Sequence, residues 1–357
     1  MKRLILILLI MLLPIVADAQ QWNLSLTSGK TLPNKPEWNY IAGPSYGLDA
    51  SLRWQMSGSQ LWHQRWHYPT LGFRFNYSQI AHGIAGNRWG LGAFVINPMW
   101  TERGKGTLSW ELDLGLSCYS NPYSRYPNPD NHFIGSYLNC LIHAGFEYRM
   151  LLSDGNSITL AAKLVHSSNG YLQKPNQGLN FIQVEMGYQW GRTPNLLTSV
   201  PEDSSLLRDY HYLSYSPGWA QPRWGTSTPH RYYCHTLEAA MMWRTGERLA
   251  WGCGLDISYN YSQTPLSRHH KDLYSLPFYI GNFVSIEPYW GPLSIRASLG
   301  AYILRSRLSA VISLPFYERV GAYYHFSNGL FAGVSMRAYA AHVDYIEWTL
   351  GYQLFNS

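Results

Sequence analysis

The chain has 357 residues, of which only 13% are charged and 15% are aromatic, with 28 Tyr and 15 Trp. Charged residues are thus about half the ~25% usual for soluble domains, which argues against an ordinary soluble globule. The formal charge of +6 is spread without a basic cluster of the kind nucleic-acid sites use, so no nucleic-acid partner is expected. That balance either favours an anionic surface or reflects charges scattered through interior and loops.

The first element is a secretory signal. Lys2 and Arg3 precede an apolar run from Leu4 to Val16, and Ala17-Asp18-Ala19 is a small-x-small cleavage site. Residues 1–19 are therefore expected to be removed, leaving Gln20 as the first mature residue. The run is shorter than the ~20 residues of a spanning helix, and no later segment offers such a run. If the mature chain crosses a membrane, it must do so as a closed β-barrel.

Alternating apolar and polar segments then recur to the end. In the first half they cover Leu48–Met56, Leu71–Tyr77, Trp110–Tyr119, Leu138–Leu151, Ser157–Ser168 and Asn180–Trp190, with weaker candidates at Trp22–Ser28 and Gly90–Asn97. In the second half they cover Tyr210–Trp219, Tyr232–Trp243, Trp251–Tyr261, Tyr279–Pro288, Leu293–Leu304, Leu314–Phe326, Leu330–Tyr339 and Tyr345–Phe355. The fold class is therefore all-β: a transmembrane antiparallel barrel of about 16 strands, with 14 as the alternative. Residues 20–357 are read as one barrel without a linker, and Thr193–Arg208 is the segment least like a strand.

Period-two alternation also sorts the charges. Asp49, Arg53, Arg74, Glu111, Asp113, Glu147, Arg149, Lys163 and Glu185 all fall on inner faces. Both signs are present, which predicts a lumen filled by ion pairs rather than an open pore. Of the four cysteines, Cys118 and Cys140 face outward on neighbouring strands, where a disulfide is open to them. Cys234 and Cys253 fall on opposite faces and should not pair. No cysteine or histidine spacing suggests a metal site, and no cofactor is expected.

One strand end carries chemistry. Ile158, Leu160, Ala162, Leu164, His166 and Ser168 share the apolar, lipid-facing side of their strand. The run continues Asn169-Gly170-Tyr171-Leu172-Gln173-Lys174-Pro175-Asn176-Gln177-Gly178. A hairpin centred near Gln173 brings Asn180 opposite His166, on the same face. Ser168 is the candidate nucleophile, His166 its base, and Asn180 the group that orients the imidazole. Asn169, Asn176 and the backbone amides around Gly170 are candidate oxyanion donors. Loop lengths put this end at the outer leaflet if the N-terminus is periplasmic. A second His-x-Ser-Asn-Gly run, His325 to Gly329, lies on a strand whose apolar face is Val320, Ala322, Tyr324 and Phe326. His325 and Ser327 there are expected to point inward around a structural turn. His143, His235 and His342 have no comparable setting.

His166-x-Ser168-Asn169 followed by Pro175-Asn176-x-Gly178 resembles the active-site stretch of PagL-type lipid A 3-O-deacylases, over about residues 157–190. Those are eight-stranded outer-membrane barrels, and this chain is about twice that size, more like the longer acyloxyacyl hydrolases. The resemblance implies a serine ester hydrolase of the outer membrane that acts on lipid A, lipopolysaccharide or a phospholipid of the outer leaflet. It includes Gly178 among the site residues. It also exposes a departure: the family triad carries Glu where this chain has Asn180. Asn can orient a histidine but adds no charge, and replacing the acid of a serine triad can cost ~10⁴-fold. The alternative is a non-catalytic structural or transport barrel with a degenerate site. A porin is a third reading.

Overall fold

In a computed structural model the described residues are 20–80, 83–102, 105–152, 155–199, 208–221, 230–263, 277–305, 315–339 and 342–355. The expected signal segment lies outside them, as do Ser153 and Asp154 of the turn before residue 157 and most of Gln263–Phe278. Among the described residues no helix is long and apolar enough to cross a membrane.

Among the described residues there are sixteen strands, each antiparallel to its neighbours, but they do not form one wall. The first eight close on themselves and so do the last eight. The first barrel is β1 (Gln20–Leu32), β2 (Pro44–Gln55), β3 (Thr70–Ile80), β4 (Asn87–Glu102), β5 (Gly106–Tyr119), β6 (Leu138–Leu151), β7 (Ser157–Ser168) and β8 (Leu179–Gly191). It closes because β8 bonds back to β1, with Trp22 opposite Trp190 and Leu32 opposite Asn180. The second barrel is β9 (Tyr210–Ala220), β10 (Tyr232–Thr245), β11 (Leu249–Asn260), β12 (Phe278–Trp290), β13 (Leu293–Leu304), β14 (Phe316–His325), β15 (Leu330–Tyr339) and β16 (His342–Phe355). It closes by pairing of β16 with β9. The expectation of a single sixteen-stranded barrel is thus corrected to two of eight. Alternation sets the faces of a strand, but it does not say which distant strand satisfies the last open edge.

In the first barrel the alternation sorts apolar groups outward and polar groups inward. Leu26, Leu91, Leu164 and Met186 are 59–69% exposed on the outer face, as a lipid-facing band requires. Inside, Arg53 pairs with both oxygens of Glu147 at 2.8 Å. Arg74 reaches Asp49 at 3.0 Å and Asp113 at 3.1 Å, and also bonds Glu111. Lys163 bridges Glu111 at 2.8 Å and Glu185 at 2.7 Å. Arg149 lies half-buried on the same side. Burying these ions is costly, and the network makes it tolerable by pairing Arg53, Arg74 and Lys163 with carboxylates. The second barrel follows the same rule around Arg319, which meets Glu238 at 2.6 Å, Glu347 at 3.1 Å and Asp256 at 3.2 Å.

All four cysteines are free. Cys118 stands opposite Leu138 and Cys140 opposite Leu116, so the two are diagonal rather than facing neighbours, and the disulfide left open by the sequence is not formed. Cys253 is exposed and Cys234 buried, on opposite faces as expected.

The first barrel carries its site at the rim where β7 ends. The chain leaves β1, β3 and β5 at that same rim. An apolar plug closes the interior beneath it, made of Ile41, Ile80, Tyr119, Phe133, Ile134, Leu141, Val165, Leu179 and Phe181. The plug gives the rim loops something fixed to stand on.

Candidate active site

Antiparallel pairing of β7 with β8 places His166 directly opposite Asn180. Two residues along β7, on the same outer face, stands Ser168. Its neighbour Ser167 points inward and accepts a hydrogen bond from Ser117 at 3.3 Å. The alternation therefore selects Ser168, not Ser167, for the lipid side.

The three side chains form one hydrogen-bonded series. His166 Nε2 is 3.0 Å from Ser168 Oγ, and His166 Nδ1 is 2.7 Å from Asn180 Oδ1. A carboxamide oxygen only accepts, so Nδ1 carries the ring proton and Nε2 is left to accept from the serine hydroxyl. That is the tautomer a general base needs. His166 and Asn180 are half-buried, while Ser168 is 8% exposed.

Two further features hold the imidazole. Gly178 has a left-handed backbone, φ +74°, and a Cβ there would come within 2.7 Å of His166 Cε1. Glycine is thus required both by the backbone and by the ring beside it. The amides of Gln177 and Gly178 donate to the carbonyls of His132 and Phe133, each at 3.2 Å, tying the returning strand to the 120–137 loop.

The sequence missed Asn34. Its Nδ2 donates to the Gln177 carbonyl at 3.0 Å, and its Oδ1 accepts from Asn180 Nδ2. It sits in the connection between β1 and β2, just before a 3₁₀ turn at Pro36–Ile41. Trp38 of that turn meets Phe133 edge-on at 5.5 Å, and Ile41 is buried in the plug. The only sequence signal was an Asn in a loop next to a strand end, which many loops contain.

The oxyanion candidates lie on the loop after Ser168. The Asn169 N–H donates to Asn176 Oδ1 at 2.9 Å, and Asn169 Nδ2 donates to the Gln173 carbonyl at 2.7 Å. Asn169 and Asn176 are thus brought together, each buried, and they brace the loop across its neck. Gly170 has φ +59°, which lets the chain turn immediately beyond Asn169.

The second His-x-Ser pattern is not a repeat of this geometry. His325 points into the second barrel, with Nε2 2.8 Å from Ser294 Oγ and 3.3 Å from Glu287 Oε1. Ser327, expected to point inward as well, is instead exposed, because the strand ends at His325 and Ser327 belongs to the short turn, where Gly329 has φ +85°. His143 is buried in the first lumen, 3.6 Å from Asp113, and His235 is 2.5 Å from the Tyr215 hydroxyl on the second barrel. The side chain of His342 lies outside the described residues. Among the described residues no three His, Cys, Asp or Glu side chains gather as metal ligands.

Comparison with known proteins follows the division into barrels. Residues 47–189 match the family model of lipid A 3-O-deacylase (PagL), and residues 209–357 match that of the acyloxyacyl hydrolase C-terminal domain. Among solved structures, that of the outer-membrane enzyme PagL is 19% identical over 48% of this chain and 99% of its own, with a TM-score of 0.35. A triple mutant of the Rhodopseudomonas blastica porin is 10% identical over 95% of this chain and 100% of its own, with a TM-score of 0.21. No curated protein sequence matches.

Proposed function

The chain belongs to the PagL-type family of lipid A 3-O-deacylases and acyloxyacyl hydrolases, as an outer-membrane β-barrel protein, and on that premise we propose that its first barrel removes an acyl chain from lipid A or lipopolysaccharide by a serine mechanism. The observation that carries this reading is the Ser168–His166–Asn180 series, at 3.0 and 2.7 Å, on the lipid-facing side of the barrel wall.

The chemistry follows from the tautomer. His166 Nε2 takes the hydroxyl proton as Ser168 Oγ attacks the ester carbonyl. The candidate donors for the oxyanion that forms are those next in the chain, the Gly170 amide and the carboxamides of Asn169 and Asn176. Collapse expels the sugar hydroxyl, which leaves with the proton from His166. Water then attacks the acyl-serine with His166 again as base, releasing the fatty acid and restoring Ser168. The acyl chain would lie along Leu164, Leu160 and their neighbours on β8, Ile182 and Val184, all exposed apolar groups below the serine.

One observation favours a second reading, a barrel that binds without cutting. Asn180 supplies no negative charge to the imidazolium formed during attack, whereas the family pattern has Glu there. The test is mass spectrometry of lipid A from cells expressing the protein, beside cells expressing Ser168→Ala. Loss of an acyl chain only with the intact protein supports the deacylase. Identical spectra, with both proteins folded in the outer membrane, favour the binding-only barrel.

A further inference from the structure

We propose that Asn34 is a positioning residue that fixes which way round the Asn180 carboxamide lies, and through it the tautomer of His166. The proposal rests on the serine mechanism above but has its own readout.

The argument starts from an anchor that cannot change roles. The Gln177 carbonyl oxygen can only accept, and its peptide is pinned by the Gly178 N–H to Phe133 O bond at 3.2 Å. Asn34 must therefore present Nδ2 to it, as it does at 3.0 Å. That leaves Asn34 Oδ1 toward Asn180, so Asn180 must present Nδ2 to Asn34 and Oδ1 to His166. His166 then holds its proton on Nδ1 and accepts from Ser168 at Nε2. Every link has one direction, set by a backbone carbonyl four bonds from the nucleophile.

A carboxylate at position 180 would need no such device, because both its oxygens accept. A carboxamide does need it. Turned over, Asn180 would offer Nδ2 to His166 Nδ1 and drive the proton to Nε2, leaving Ser168 with no base. Asn34 is the group that makes the turned form unfavourable, since two carbonyl-type oxygens would then face each other. Asn34, Gln177 and Asn180 all lie at the wet rim, so water competes for these bonds and the effect is bounded. Losing one such bond should reduce turnover about threefold to tenfold.

The tautomer is read directly from two-bond ¹⁵N correlations of histidine-labelled protein in detergent micelles, with the His166 signals identified by their absence in His166→Gln. The parent should show His166 protonated at Nδ1. Asn34→Ala should shift it toward Nε2, and Asn34→Asp, which still accepts from Asn180 but no longer donates to Gln177, should keep Nδ1. In ester cleavage, Asn34→Ala should cost about threefold to tenfold beside Asn180, yet the cost should shrink or reverse beside Asn180→Asp. An unmoved tautomer in Asn34→Ala overturns the proposal whatever the activity. So does an equal loss in both backgrounds, which would mean that Asn34 merely braces the loop. A parent protein that cleaves no ester but holds the Nδ1 tautomer only with Asn34 would sink the deacylase and leave this inference standing.

Discussion

Replacing Asn180 by Asp tests whether the missing charge limits the site. The two side chains are isosteric, so the 2.7 Å contact to His166 Nδ1 can be kept. Attack by Ser168 turns His166 into an imidazolium whose charge centre would lie about 4 Å from the new carboxylate, worth about 4 kcal/mol at an effective dielectric of 20 and about 1 kcal/mol in bulk water. The half-buried rim lies between these limits, and roughly 2–3 kcal/mol is a fair central value. Against this, Asn34 Oδ1 would lose its donor and face a carboxylate oxygen, at a cost of about 1 kcal/mol. The net gain of about 1–2 kcal/mol in the transition state corresponds to a kcat increase of roughly 5- to 30-fold. The assay is the initial rate of fatty-acid release from purified lipid A by protein in detergent micelles. A kcat at or below the parent's, with the folded barrel intact, would refute the idea that His166 becomes charged beside position 180.

Gly178→Ala should lower turnover about 100-fold, because the new methyl displaces a ring it would approach within 2.7 Å, and misplacement by about 1 Å is costly to that degree. Steady-state kinetics on the folded variant checks it. Arg74→Leu should destabilise the first barrel by about 3–5 kcal/mol by leaving Asp49, Glu111 and Asp113 short of their shared cation. Urea unfolding in lipid vesicles followed by Trp fluorescence measures that. Leu164→Arg, on the outer face of β7, should cost up to about 2–4 kcal/mol in the same assay, whereas a water-facing wall would scarcely register it.

Much of this architecture can be read from period two alone. The inward set from Asp49 to Glu185 and the outward stripe of Leu160, Leu164, Ile182 and Met186 need no knowledge of the rest of the chain. The pairing of His166 with Asn180 was legible too, because β7 and β8 are joined by a short connection that fixes register locally. Barrel closure was not. The bonds from β8 to β1 join residues more than 140 positions apart, and nothing in either strand marks the other as its partner. The segment after Arg192 stood out only as the one least like a strand, and it did not read as a boundary. Asn34 was hidden for the same reason as the closure. It lies 146 positions from Asn180, and only the folded rim brings the two carboxamides together.

The central claim is that Ser168 attacks an acyl ester. Its most direct test is fatty-acid release from purified lipid A by the purified protein and by Ser168→Ala, both folded in micelles. The account predicts release of one class of acyl chain by the parent and a drop of at least about 1000-fold in the variant. Release by Ser168→Ala at the parent's rate would contradict it.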